Sequence, residues 1–130
     1  MSRPKIAVFA YSEVGAACLE ELIADGANVV KVYTHEDDPN ETIWFRSVRE
    51  IAERAGIPAS APERFGEAEI AEFLALGTEL VFSFYYRKLI PAAVINSPRL
   101  GAYNMHGALL PRYRGRACVN WAVLNGESET

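Results

Sequence analysis

Apolar positions fall in short blocks separated by longer amphipathic stretches. Lys5-Ile6-Ala7-Val8-Phe9-Ala10 is nearly continuous. That pattern predicts a strand covered on both faces, as in a parallel sheet. Similar blocks predict a second strand over residues 29–34, a brief third over 57–60, a fourth over 80–84 and a fifth over 102–105. Between them the period changes. Val14, Cys18, Leu19, Leu22 and Ile23 share one helical face, with Ser12 as the predicted N-cap and Asp25-Gly26 as the stop. Further helices are predicted over 43–55, stopped by Gly56, and over 67–76, closed by Gly77. A short helix over 89–95 is entered through Pro91, and one over 117–124 ends at Asn125-Gly126.

Strands alternating with helices at these spacings suit right-handed crossover units. The predicted fold is α/β, an open, doubly wound, mostly parallel sheet of Rossmann-like type. Ligands of such sheets lie beyond the carboxyl ends of the strands. The rule selects the loops after Ala10, Thr34, Phe84 and His106. No internal repeat, linker or low-complexity stretch interrupts the pattern.

Composition narrows the chemistry. The chain has 130 residues, half of them hydrophobic and 23% charged, which suits one globular domain. No apolar run approaches the ~20 residues that span a bilayer, and the start lacks a signal-peptide layout. The cytoplasm is therefore the expected location, without membrane insertion. Cys18 and Cys118 show no metal-ligand spacing and read as buried, reduced thiols. A net charge of −4 argues against a nucleic-acid partner. The first strand is followed by Gly15 alone rather than GxGxxG, and no GxxxxGK[ST] occurs. With His35 and His106 as the only histidines and no clustered carboxylates around them, no metal is expected.

The informative stretch is Asn104-Met105-His106-Gly107-Ala108-Leu109-Leu110-Pro111-Arg112-Tyr113-Arg114-Gly115. On a strand, Asn104 and His106 share one face. An amide can donate to an oxygen gaining negative charge, and a histidine can relay a proton near neutral pH. Together they suit acyl transfer to an amine. The same residue types also serve at strand ends as turn formers or satisfied polar groups, so residue chemistry alone leaves both readings open. Tyr85, Tyr86 and Trp121 read as packing residues, His35 as a turn or surface histidine, and Arg116 as solvated.

NMHGALLPRYRG resembles the signature of the folate-dependent formyltransferases: an Asn-x-His pair, a small-residue-Leu-Leu-Pro turn and a basic-Gly loop. The resemblance extends along the chain. Ala10-Tyr11 with Gly15 matches the family's first loop, and Tyr33-Thr34-His35 with Asp37 and Pro39 its second. Ser83-Phe84-Tyr85-Tyr86-Arg87, with Leu89-Ile90, matches the loop after the fourth strand. Within the family the chain is most similar to bacterial enzymes that formylate UDP-4-amino-4-deoxy-L-arabinose for lipid A modification. The short second loop, FSFYYRKLI and RYRGRACVNWAVLNGESET carry that likeness.

The resemblance implies N10-formyltetrahydrofolate as donor, without metal, and the amine of a nucleotide-linked sugar as acceptor. It implies Asn104 and His106 as catalytic residues. Folate would bind against Tyr86, Arg87, Lys88, Leu89 and Ile90 and the Leu109-Leu110-Pro111 turn. Tyr11 and Thr34-His35 would line the sugar side, and Arg114 would contact the diphosphate. Cys118 stands where the family usually has Pro. The family's Asp that partners the histidine is expected beyond Thr130. Residues 1–130 are thus expected to be the amino-terminal part of a formyltransferase catalytic domain, inactive alone. Methionyl-tRNA formyltransferase and a catalytically dead folate- or partner-binding remnant are the competing readings.

Overall fold

The computed structural model describes residues 3–105. The predicted helix over 117–124 and the site residues His106, Leu109, Leu110, Pro111 and Arg114 lie outside the described residues. Nine elements alternate as expected: β1 (Lys5–Ala10), α1 (Ser12–Ala24), β2 (Asn28–Tyr33), α2 (Val48–Arg54), β3 (Ala59–Ser60), α3 (Glu67–Ala75), β4 (Leu80–Phe84), α4 (Ala92–Ile95) and β5 (Ala102–Met105). Every pairing in the sheet is parallel. The strand order is β3-β2-β1-β4-β5, which is an open, doubly wound sheet.

β1 shows why the continuous apolar pattern was informative. From Ile6 to Ala10 every residue is buried, and successive side chains enter opposite layers. Ile6, Val8 and Ala10 join Ala16 and Leu19 of α1 and Val48 and Ala52 of α2. Ala7 and Phe9 join Tyr33, Phe73 of α3, Val81 and Val94 of α4. The chain adds strands to one side of β1, then crosses back to place β4 on its other side. The β1–β4 border is therefore the topological switch point, where the loops after neighbouring strands part toward opposite layers.

Gly15 brings the first helix onto this border. A Cβ there would lie 3.1 Å from the Ala10 Cβ and 3.2 Å from the Phe84 carbonyl oxygen. Hydrogen in place of a methyl group lets α1 sit close against the strand ends.

Three helix starts depart from the sequence reading. Ser12 is not the cap of α1. Tyr11 holds that position in extended backbone, without a side-chain cap bond, because its N–H donates to the Phe84 carbonyl at 3.1 Å. Ser12 follows with φ +64°. The second helix begins at Val48 rather than residue 43: Ser47 caps it, accepting from the Glu50 N–H at 3.2 Å. Before that cap, Phe45 packs against Tyr11, and the Arg46 guanidinium pairs with Glu13 and Glu20 of α1. These tertiary contacts hold the segment as a loop. The fourth helix starts at Ala92, after Pro91, so residues 86–90 are irregular backbone.

Candidate active site

The loops after β1, β2 and β4 meet at the switch point around one aromatic ring. Tyr11 is 4% exposed. Its phenol donates to Asp37 Oδ1 at 2.7 Å, and the Arg87 guanidinium lies 4.6 Å from its ring centroid, a cation–π arrangement. His35 and Phe45 both meet the ring edge-on, with centroids 5.1 Å away. Burial, followed by the hydrogen bond to Asp37, pushes the Tyr11 phenol up to about 12. The group is a neutral donor at any physiological pH.

His35 is the second hub. Its ring stacks on Tyr86, with centroids 4.3 Å apart and planes 22° from parallel, an offset aromatic pair. Its Nε2 accepts from the Arg87 backbone N–H at 2.9 Å. Burial first, then the charges of Lys88 and Arg87, hold the imidazole down at about 4. The ring is neutral, with its proton on Nδ1, since Nε2 serves as the acceptor.

The stretch after β4 is anchored from several sides. Arg87 forks onto Glu41, with nitrogen-to-oxygen distances of 2.9 and 3.0 Å. This bidentate pairing lowers the Glu41 carboxyl and raises the guanidinium. Lys88 Nζ donates to the carbonyls of Pro62 and Glu63. Tyr86 also meets Phe9 edge-on at 5.2 Å, and Ile90 packs against the core layer of Phe9, Phe73 and Val94. Tyr85 takes φ +58°, a left-handed conformation that is costly for an aromatic residue and recurs at ligand sites. Beside these groups lies a cavity of about 510 Å³, bordered by Tyr11, His35, Glu41, Pro62, Arg87 and Lys88.

The sequence-predicted residues are thus partly gathered. Tyr11, Tyr86, Arg87 and Lys88 share one region. Leu89 is 93% exposed and projects from it. Asn104 is exposed on β5, in register with Ser83 of β4, at the same carboxyl end of the sheet. His35 is half-buried at the centre of the cluster rather than on a turn or surface. Asp37 and Glu41, which bind Tyr11 and Arg87, were not singled out as site residues. Their spacings of 26 and 46 residues from those partners belong to no local motif. Among the described residues no group of three or more His, Cys, Asp or Glu side chains could hold a metal ion. None of the described helices is long and apolar enough to cross a membrane.

Known structures share this architecture. Glycinamide ribonucleotide transformylase 1 from Geobacillus kaustophilus is 23% identical with a TM-score of 0.72, over 96% of this chain and 69% of that one. Phosphoribosylglycinamide formyltransferase from Streptococcus pneumoniae is 24% identical with a TM-score of 0.68, over 95% of this chain and 67% of that one. A formyltetrahydrofolate deformylase from Pseudomonas syringae is 19% identical with a TM-score of 0.72, over 96% of this chain and 43% of that one. This chain therefore spans about two-thirds of the two transferases and less than half of the deformylase. At these identities the likeness is one of fold. The family assignment comes from the sequence itself: the model of the formyl transferase domain matches residues 4–130, nearly the whole chain, and the chain belongs to the formyl transferase family.

Proposed function

We propose that this chain is the amino-terminal part of an enzyme that transfers formyl from N10-formyltetrahydrofolate to the amine of a UDP-linked 4-amino sugar. The observation that carries the reading is the Asn104–Gly115 stretch NMHGALLPRYRG, within a family match covering residues 4–130. The stretch after β4 suits the donor. Among the described residues the amides of Lys88, Leu89 and Ile90 have no hydrogen-bond acceptor. They lie in irregular backbone beside the exposed Leu89 side chain. Main-chain donors next to apolar surface can read the polar edge of a flat ring while covering its face.

In this reading the donor supplies an activated formyl group. The acceptor amine attacks the formyl carbon, the new C–N bond replaces the bond to N10 of the folate, and the proton the amine loses is balanced by the one N10 gains as tetrahydrofolate leaves. Asn104 and His106 donate to the formyl oxygen as negative charge gathers there. His106 helps carry the amine proton away. Tyr11 lines the acceptor side, its phenol proton held by Asp37, and Arg114 forks onto the diphosphate. The sugar-nucleotide acceptor rests on the short second loop, on FSFYYRKLI and on RYRGRACVNWAVLNGESET.

The test uses the full-length protein with N10-formyltetrahydrofolate, following tetrahydrofolate release. UDP-4-amino-4-deoxy-L-arabinose, glycinamide ribonucleotide and methionyl-tRNA are offered separately, beside a control without acceptor. Release dependent on the amino-sugar nucleotide is the expected result. Turnover confined to methionyl-tRNA or glycinamide ribonucleotide would reassign the acceptor. Equal release without any acceptor would make the enzyme a hydrolase of the donor.

A further inference from the structure

The main chain of residues 86–90 is irregular, and among the described residues it makes a single hydrogen bond. That bond runs from the Arg87 N–H to His35 Nε2 at 2.9 Å. The remaining anchors of the stretch are side chains: the Arg87 fork on Glu41, the Lys88 ammonium on two carbonyls, Tyr86 and Ile90 in the core. Side-chain anchors fix where residues sit. They leave peptide planes free to rotate, because each φ/ψ pair can compensate for its neighbour. A hydrogen bond to one amide sets the orientation of that peptide plane and so of the amides that follow.

His35 is built to supply that bond. It follows β2, two strands away from β4 in the sheet. Its ring lies against Tyr86 at 4.3 Å and against the edge of Tyr11 at 5.1 Å, so it has contacts on two sides. The groups around it are Tyr11, Tyr86 and the cationic Arg87 and Lys88. This environment disfavours an imidazolium and keeps Nε2 an acceptor. The strained Tyr85, with φ +58°, turns the chain out of β4 and into this arrangement.

We propose that His35 is a positioning residue for the formyl donor: by accepting from the Arg87 amide and bracing Tyr86, it sets the main-chain donors of residues 88–90 toward the folate. The inference rests on the reading of residues 86–90 as the donor-binding stretch. His35 touches neither the donor nor the formyl group and acts through Arg87.

The test compares His35→Phe with His35→Gln in the full-length protein. Phe keeps a ring against Tyr86 and removes the acceptor. Gln places a carbonyl oxygen near the site of Nε2 and removes the ring. Two quantities are read: hydrogen exchange at the Arg87 amide, and the KM for N10-formyltetrahydrofolate against kcat. In His35→Phe the Arg87 amide is expected to exchange faster and the donor KM to rise roughly ten-fold, the size of losing one buried hydrogen bond. With kcat little changed, that pattern is loss of ground-state positioning. His35→Gln is expected to restore both readings toward wild type. An unchanged donor KM in His35→Phe overturns the proposal, as does a Gln variant impaired to the same extent as Phe. A wild-type protein that uses no formyl-folate would instead remove the donor reading, while amide exchange would still report whether His35 holds Arg87.

Discussion

The Tyr11 phenol and the Asp37 carboxylate meet at 2.7 Å beneath the guanidinium of Arg87. One residue follows β1 and the other lies in the loop after β2, so the bond ties two of the loops that the strand-end rule selects. Tyr11→Phe keeps the ring and its cation–π contact while removing the donor. Loss of the bond, with Asp37 left beside an apolar edge, is expected to cost about 1–2 kcal/mol. Urea denaturation of the two proteins at neutral pH measures it.

Tyr11 also sets an alkaline limit. Its folded-state value of about 12 lies above the ordinary phenol value of 10.0, so the folded protein holds the proton more tightly than the unfolded chain. The stabilisation is complete below pH 10 and disappears as pH rises through about 12. Ultraviolet titration of wild type against Tyr11→Phe should show one phenol fewer ionising at the high end of the range.

His35 gives the opposite dependence. Its folded value of about 4 lies below the ordinary 6.5, so the unfolded chain binds the proton more readily. Stability rises with pH between about 4 and 6.5, is fully present above that window and is lost on acidification through it. Denaturation midpoints measured across this range should fall more steeply for wild type than for His35→Gln, which has no group titrating there. Parallel curves would show that His35 is protonated as readily in the folded protein as in the unfolded chain.

Gly15→Ala introduces a methyl group 3.1 Å from the Ala10 Cβ and 3.2 Å from both the Ala10 carbonyl carbon and the Phe84 oxygen. Two of those three neighbours are backbone, which gives little. The gain in helix propensity, about 1 kcal/mol, is expected to be exceeded by an overpacking cost of about 1–3 kcal/mol. Net destabilisation in thermal unfolding is the expected outcome, and a raised melting temperature would contradict it.

Asn104→Ala and His106→Ala in the full-length protein should each lower the rate of formyl transfer by about 10²–10³, with donor binding retained. Single-turnover rates and equilibrium folate binding separate the two effects. Near-normal turnover in either variant removes that residue from the proposed chemistry.

The sheet was legible because its strands are buried on two faces. β1 and β4 were bounded to the residue by apolar runs, and Gly26, Gly56 and Gly77 follow the helices as expected, each at positive φ. The 43–55 segment misled because Ile43 and Trp44 extend the helical apolar pattern backward past a genuine start. The Ser47-Val48-Arg49-Glu50 spacing was a readable cap signal. What it competed with is tertiary: Phe45 on Tyr11 and Arg46 on α1. At the site, topology selected the loops at the strand ends, and the family resemblance selected the residues within them. Their partners Asp37 and Glu41 were assigned no roles, and His35 only a place on the sugar side, because each pairing is made by separate loops folding onto one another. Side-chain chemistry gives no sign of such a meeting when the residues are 26 to 52 positions apart.

The parity of β1 has a consequence for how such a protein can change over generations. Ile6, Val8 and Ala10 belong to the layer of α1 and α2, while Ala7 and Phe9 belong to that of α3 and α4. A substitution at one position therefore disturbs one layer and leaves the other packed. The loops after β1 and β2 are supported by the first layer, and the stretch after β4 by the second. A lineage can accordingly retune one half of its binding surface by small repacking steps while the other half keeps its shape. His35 and Arg87 limit that independence, since the His35 ring is held between Tyr11 and Tyr86 and the Arg87 guanidinium reaches Tyr11 and Glu41.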